Sequence, residues 1–228
     1  MKFFCISLDY RTDRREKMNI IFNKYNIPIN YLIVKKHINS IKGCFESHIK
    51  IWENAIKNYN DDEDIIVFED DVVVTQELTI KEFYDILDDA KKLLKHYDIV
   101  HLGRTVYDCF GEIKRNKKWR FYNGKVLCAH LYVINVKNMK RVINKVKRHI
   151  DNMHFDFAIR DECNQVFLYP NIFQQKDFYD SDNKWCKSQK MDKFLRFAAN
   201  VIISMEDVIL FTSPPLCMLA KKIRYNIK

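Results

Sequence analysis

Short apolar runs alternating with amphipathic stretches constrain this chain more than any other feature. Residues 3–8 (FFCISL), 31–34 (YLIV), 65–68 (IIVF) and 99–102 (IVHL) each have the length and composition of a strand, those at 3–8 and 65–68 of a buried one. Between them, apolar residues recur at helical spacing: Met18, Ile21 and Phe22; Ile49, Trp52, Ile56 and Tyr59; Phe83, Ile86, Leu87 and Leu93. The helices are expected over residues 14–25, 43–59 and 80–94, with Thr12 or Asp13 capping the first. This alternation predicts an α/β sheet, largely parallel and covered on both faces. Ligands of such sheets bind outside the carboxyl ends of the strands. Residues 9–15, 69–71 and 103–104 fall at such ends, with Gly103 expected to permit a turn. Residues 129–135 and 166–169 read as further strands, 136–146 as a basic amphipathic helix, and 108–123 as a loop or hairpin. After Gln175 the pattern weakens. A boundary expected near Tyr179 separates an α/β core over residues 1–178 from a C-terminal extension over residues 179–228.

With 228 residues, 47% apolar and 30% charged, the chain has the balance of a folded soluble protein with a full core. Only four Gly and four Pro exclude collagen-like and low-complexity classes. Lys and Arg outnumber Asp and Glu by 39 to 30, so the net charge of +9 favours an anionic partner: a nucleotide phosphate, a nucleic acid or a membrane surface. Seven scattered cysteines without a C-x-x-C pair argue against a zinc ribbon or a disulfide framework and fit a reducing compartment. They read as buried small residues, with Cys44 packing. The first apolar run is too short for a signal peptide, and no apolar run is long enough to span a bilayer. The expectation is a cytoplasmic protein.

Three features carry chemistry. Glu69-Asp70-Asp71 closes the third apolar strand, and like charges so close raise one another's pKa unless a cation intervenes. Mg²⁺ or Mn²⁺, which prefer oxygen ligands, would satisfy them. Strand alternation sets Glu69 and Asp71 on one side and Asp70 on the other. A solvated acidic turn is the competing reading, and the DDED run at residues 61–64 is one such turn. The second feature is Gly43-Cys44-Phe45-Glu46-Ser47-His48, with Ser47 and His48 in the first turn of a helix, where free N–H groups favour an anion. An ordinary capped helix with a His on its face is the competing reading, and the residues alone favour it. The third is Arg11, Arg14 and Arg15 after the first strand, suited to phosphate or simply solvated.

Taken together, ISLDYRTDRREKM, GCFESHIKIWENAI, IIVFEDDVVV, YDIVHLG, AHLYVIN, HFD and LYPNIFQQ resemble, in order, the sequence blocks of glycosyltransferase family 25, the lipopolysaccharide-biosynthesis and procollagen galactosyltransferase group. The resemblance covers about residues 2–175. It implies a GT-A-type, Rossmann-like α/β/α sandwich as a single domain with a C-terminal tail. It further implies inverting transfer of a hexose, galactose or glucose, from a UDP-sugar donor to a glycan, glycoprotein or collagen-like hydroxyl. Asp71, with Glu69 assisting, would hold Mn²⁺ or Mg²⁺. Asp70 would orient the ribose, and Arg11, Arg14, Ser47, His48 and Gly103 would line the donor pocket. Inversion needs a base for the acceptor hydroxyl, and Asp156 matches the family's downstream Asp. Capping of a following helix is the competing reading of Asp156, and His154 is a competing base or third metal ligand. His130 departs from the pattern. Three alternatives remain: a metal-dependent nucleic-acid-binding protein or nuclease, a basic tail that makes peripheral contact with a membrane, and a pseudoenzyme that binds sugar nucleotides without transfer.

Overall fold

A computed structural model describes residues 1–175 of the chain. The extension over residues 179–228, with its membrane-contact reading, lies outside the described residues. The elements follow in the order β1 (Lys2–Leu8), α1 (Thr12–Asn23), β2 (Ile29–Val34), α2 (Ser40–Asn58), β3 (Asp64–Glu69), β4 (Val72–Val74), α3 (Ile80–Leu93), β5 (Ile99–Arg115), β6 (Arg120–Asn135), α4 (Val136–Lys147), α5 (Phe155–Glu162), β7 (Gln165–Tyr169) and β8 (Phe173–Gln175). The expected α/β/α sandwich is present. Strand alternation sends Ile66 and Phe68 of β3 to a core shared with α1 and α3, and Ile65 and Val67 to a core shared with α2, α4 and α5. A strand buried on both faces reads as a continuous apolar run, which is why IIVF was visible in the sequence.

The sheet is mixed rather than largely parallel. β1 pairs in parallel with β2 and β3, the Rossmann-like half. β3 then meets β6 antiparallel, β6 meets β5 antiparallel, and β5 runs parallel to β7. The cause is the segment expected as a loop or hairpin, which is a hairpin. Residues 99–135 form one long hairpin, bent by several register shifts between its strands. The Arg120–Asn123 stretch of β6 pairs with β7. Gly103 does not turn the chain but continues β5. An added Cβ there would lie 2.4 Å from His130 Nε2 and 2.6 Å from the Phe173 carbonyl oxygen, so glycine serves close approach of β6 and β8.

Two helix starts also differ from expectation. α1 begins at Thr12 with Arg11 at the N-cap and no side-chain cap, so neither Thr12 nor Asp13 caps it. α2 begins at Ser40, because the Asn39 side chain accepts from the N–H groups of Ile41 and Lys42. Ser47 and His48 therefore sit beyond the first turn, and the free N–H groups invoked for an anion there are already part of the helix. The third helix starts as its sequence suggests: Thr79 and Glu82 form a reciprocal capping box.

Candidate active site

The acidic triplet stands where β3 leaves the sheet, between α1 on one face and α2 on the other. Glu69 is the last residue of β3 and keeps its alternation, pointing to the α2 face, where its Oε1 lies 3.6 Å from His48 Nε2. Asp70 turns to the α1 face and accepts from Arg14 Nη1 at 2.9 Å, a buried ion pair. Asp71 already belongs to the turn into β4. Its Oδ2 lies 3.8 Å from the same Arg14 nitrogen and accepts from Gln175 Nε2 at 2.9 Å. The expected same-side pairing of Glu69 with Asp71 is thus corrected: alternation ends at Glu69, and Asp71 shares a guanidinium with Asp70.

The charge balance of this cluster is incomplete. Burial, then repulsion from Asp70 and Asp156, pushes Glu69 up to about 7. Burial, then repulsion from Glu69, pushes Asp71 up to about 7. Oδ2 of Asp70 and Oδ1 of Asp71 are buried without a hydrogen-bond partner among the described residues. Carboxylate oxygens left this way in a crowded acidic site are the donor set that a hard divalent cation prefers. The residues fit the expected metal, with Arg14 offsetting part of the charge.

His48 is fully buried, and burial pushes it down to about 3, so the imidazole is neutral. Its Nδ1 lies 3.1 Å from Tyr132 Oη, which also accepts from Trp52 Nε1 at 3.0 Å. Phe155 stacks on the ring with centroids 4.2 Å apart and planes at 2°. Ser47 uses its hydroxyl within the helix, donating to the Gly43 carbonyl at 2.7 Å. Arg11 bonds to Asp13, while Arg15 donates to the Leu8 and Asp9 carbonyls and so fixes the end of β1.

Asp156 lies in the first turn of α5, where its Oδ1 accepts from the Phe157 N–H at 3.0 Å, and His154 occupies the N-cap position. Its charge acts on Glu69, His48 and Cys44, so α5 brings it to the same site. The structure therefore gathers Glu69, Asp70, Asp71, Arg14, His48 and Asp156, from four separate elements and the turn after β3. Gly103 packs beneath His130, and its contacts are to β6 and β8.

Two participants were not singled out from the sequence. Gln175, at the end of β8, holds Asp71 across 104 residues, and no local pattern announces it. Cys44 was read as a packing residue, yet a sulfur, imidazole nitrogen and carboxylate oxygen from Cys44, His48 and Glu69 lie within 4.8 Å of one another. The Cys-x-x-x-His spacing on a helix was the available signal. Asp98, just before β5, pairs with Arg141 and accepts from the Asn164 N–H.

The sequence profile of glycosyltransferase family 25, the LPS biosynthesis protein family, matches residues 34–159, more than half of the chain. The chain belongs to glycosyltransferase family 25 and is a glycosyltransferase. Membership favours sugar transfer over the nucleic-acid rival. No curated protein matches the chain. Among solved structures, it is similar to the galactosyltransferase LgtC in complex with donor and acceptor sugar analogs, at 10% identity and a TM-score of 0.45, covering 88% of this chain and 96% of that one. An active-site mutant of LgtC gives 9% identity and a TM-score of 0.46 with the same coverage. At that level neither bears on the chemistry of this chain. Among the described residues no helix is long and apolar enough to cross a membrane.

Proposed function

We propose that the chain transfers a hexose, galactose or glucose, from a UDP-sugar to a hydroxyl of a glycan or glycoprotein, with inversion by single displacement. The observation that carries this reading is the crowded carboxylate set closing β3, buried at Asp70 and Asp71 and half-buried at Glu69, with two orphaned oxygens and two acids held up to about 7. Asp71, assisted by Glu69, would hold Mn²⁺ or Mg²⁺. When bound, such an ion acts as a Lewis acid toward the diphosphate and offsets the charge of the departing UDP. Arg14 fixes Asp70, which is left with one unbonded oxygen for a ribose hydroxyl. Neutral His48, clamped by Tyr132 and Phe155, is a rigid support behind Glu69. Asp156 takes the proton of the acceptor hydroxyl. The acceptor oxygen bonds to the anomeric carbon as the bond to the diphosphate oxygen breaks, and that electron pair leaves with UDP.

The test is a screen of nucleotide sugars for release of free UDP with Mn²⁺ present. Release from a UDP-hexose that is lost in Asp71→Asn is expected; release from no UDP-sugar overturns the reading. Asp156→Asn separates the base from the binding site. Transfer should fall by about 10²–10⁴-fold, the ordinary worth of a positioned base, with donor affinity nearly unchanged. Transfer at the parent rate removes Asp156 from that role.

A further inference from the structure

We propose that Cys44, His48 and Glu69 form a second metal site, selective for a borderline-soft ion of the zinc class. Cys44 and His48 stand four residues apart on α2, which sets them one turn apart on one face. Alternation along β3 brings Glu69 to that same face. The three ligand-type atoms lie within 4.8 Å of one another. The separation of 3.6 Å between His48 Nε2 and Glu69 Oε1 lies just above the N···O edge of a tetrahedral zinc site, about 3.3–3.5 Å for ordinary zinc–ligand lengths, so a small side-chain adjustment closes it.

The histidine supplies an independent observation. Its Nε2 is buried, aimed at Glu69, and without a hydrogen-bond partner among the described residues. Its other nitrogen is engaged by Tyr132, itself held by Trp52, and its face is stacked on Phe155. A hydrogen-bond partner on the far ring nitrogen is the arrangement that orients metal-bound histidines. Cys44 is only half-buried, which leaves a way in. Sulfur and imidazole ligands suit zinc or cobalt, whereas Mg²⁺ and Mn²⁺ prefer all-oxygen sets. Three protein ligands leave a fourth position open to water or to a ligand. Because Glu69 is shared, an ion held here withdraws it from Asp70 and Asp71.

The test is a Co²⁺ titration of the full-length chain, read by the thiolate-to-cobalt charge-transfer absorption. The wild type should develop the band at one equivalent and lose it on addition of excess Zn²⁺. Cys44→Ser should lack the band while its melting temperature without metal matches the parent. Absence of the band in the wild type, or its full retention in Cys44→Ser, overturns the proposal. No sugar donor is present in this experiment. Its failure is therefore distinct from failure of the transferase reading, which the UDP-release screen decides.

Discussion

Between roughly pH 4 and pH 7, Glu69 and Asp71 hold more protons in the folded chain than in the unfolded one, because both are held up to about 7. The unfolded state binds fewer protons in that window, so the stability these two groups lend is full below it and falls as pH rises through it. Metal-free protein should therefore lose melting temperature from this source between about pH 5 and pH 7.5. Glu69→Gln should flatten the dependence. A bound divalent cation displaces the same protons, so Mn²⁺ affinity measured by calorimetry should be weaker at about pH 6 than at about pH 8. An affinity independent of pH would mean that these carboxylates do not hold the ion. The sequence shows that three acids are adjacent. It does not show that Asp70 and Asp71 divide Arg14 between them, since that depends on α1 lying across the end of β3.

At the scale of elements, legibility follows burial. The strands β1, β3 and β7 are flanked by helices or neighbouring strands, so their apolar runs stand out. The β5–β6 hairpin is harder to read because its outer half is basic and polar, with exposed residues at Glu112, Ile113 and Lys117. Gly103 reads as a turn for a different reason: glycine after a strand suggests one, but here a tight three-strand contact demands it. A methyl group at 103 would press on the His130 ring and on the β8 backbone. The Phe173 carbonyl cannot swing aside as a side-chain end can. Gly103→Ala should therefore destabilise the fold by about 1–3 kcal/mol, the usual range for overpacking. Urea unfolding measures it. Because β8 ends in Gln175, which holds Asp71, the same variant should also weaken Mn²⁺ binding. Parent stability would show that β8 shifts freely and that the contact is not a constraint.

At the scale of the whole molecule, two electrostatic fields oppose each other. The chain carries +9 overall, which attracts an anionic donor from a distance. The site itself concentrates Glu69, Asp70, Asp71 and Asp156, with Arg14 paired inside the cluster. A diphosphate arriving at the bare carboxylates meets like charge in a partly dry pocket, where repulsion is poorly screened. Steering and binding are thus separable. On the proposed function, the general positive charge governs the approach, and a metal ion reverses the local sign before the donor settles. UDP should consequently bind at least about tenfold more weakly without Mn²⁺ than with it, a difference of about 1.4 kcal/mol. The association rate with Mn²⁺ present should fall as salt rises, because screening acts on the long-range field first. Stopped-flow mixing with a fluorescent UDP analogue measures both. Equal affinity with and without the metal would place the diphosphate away from the end of β3, on the basic surface instead. The acidic triplet would then be a structural partner of Arg14 rather than the centre of the reaction.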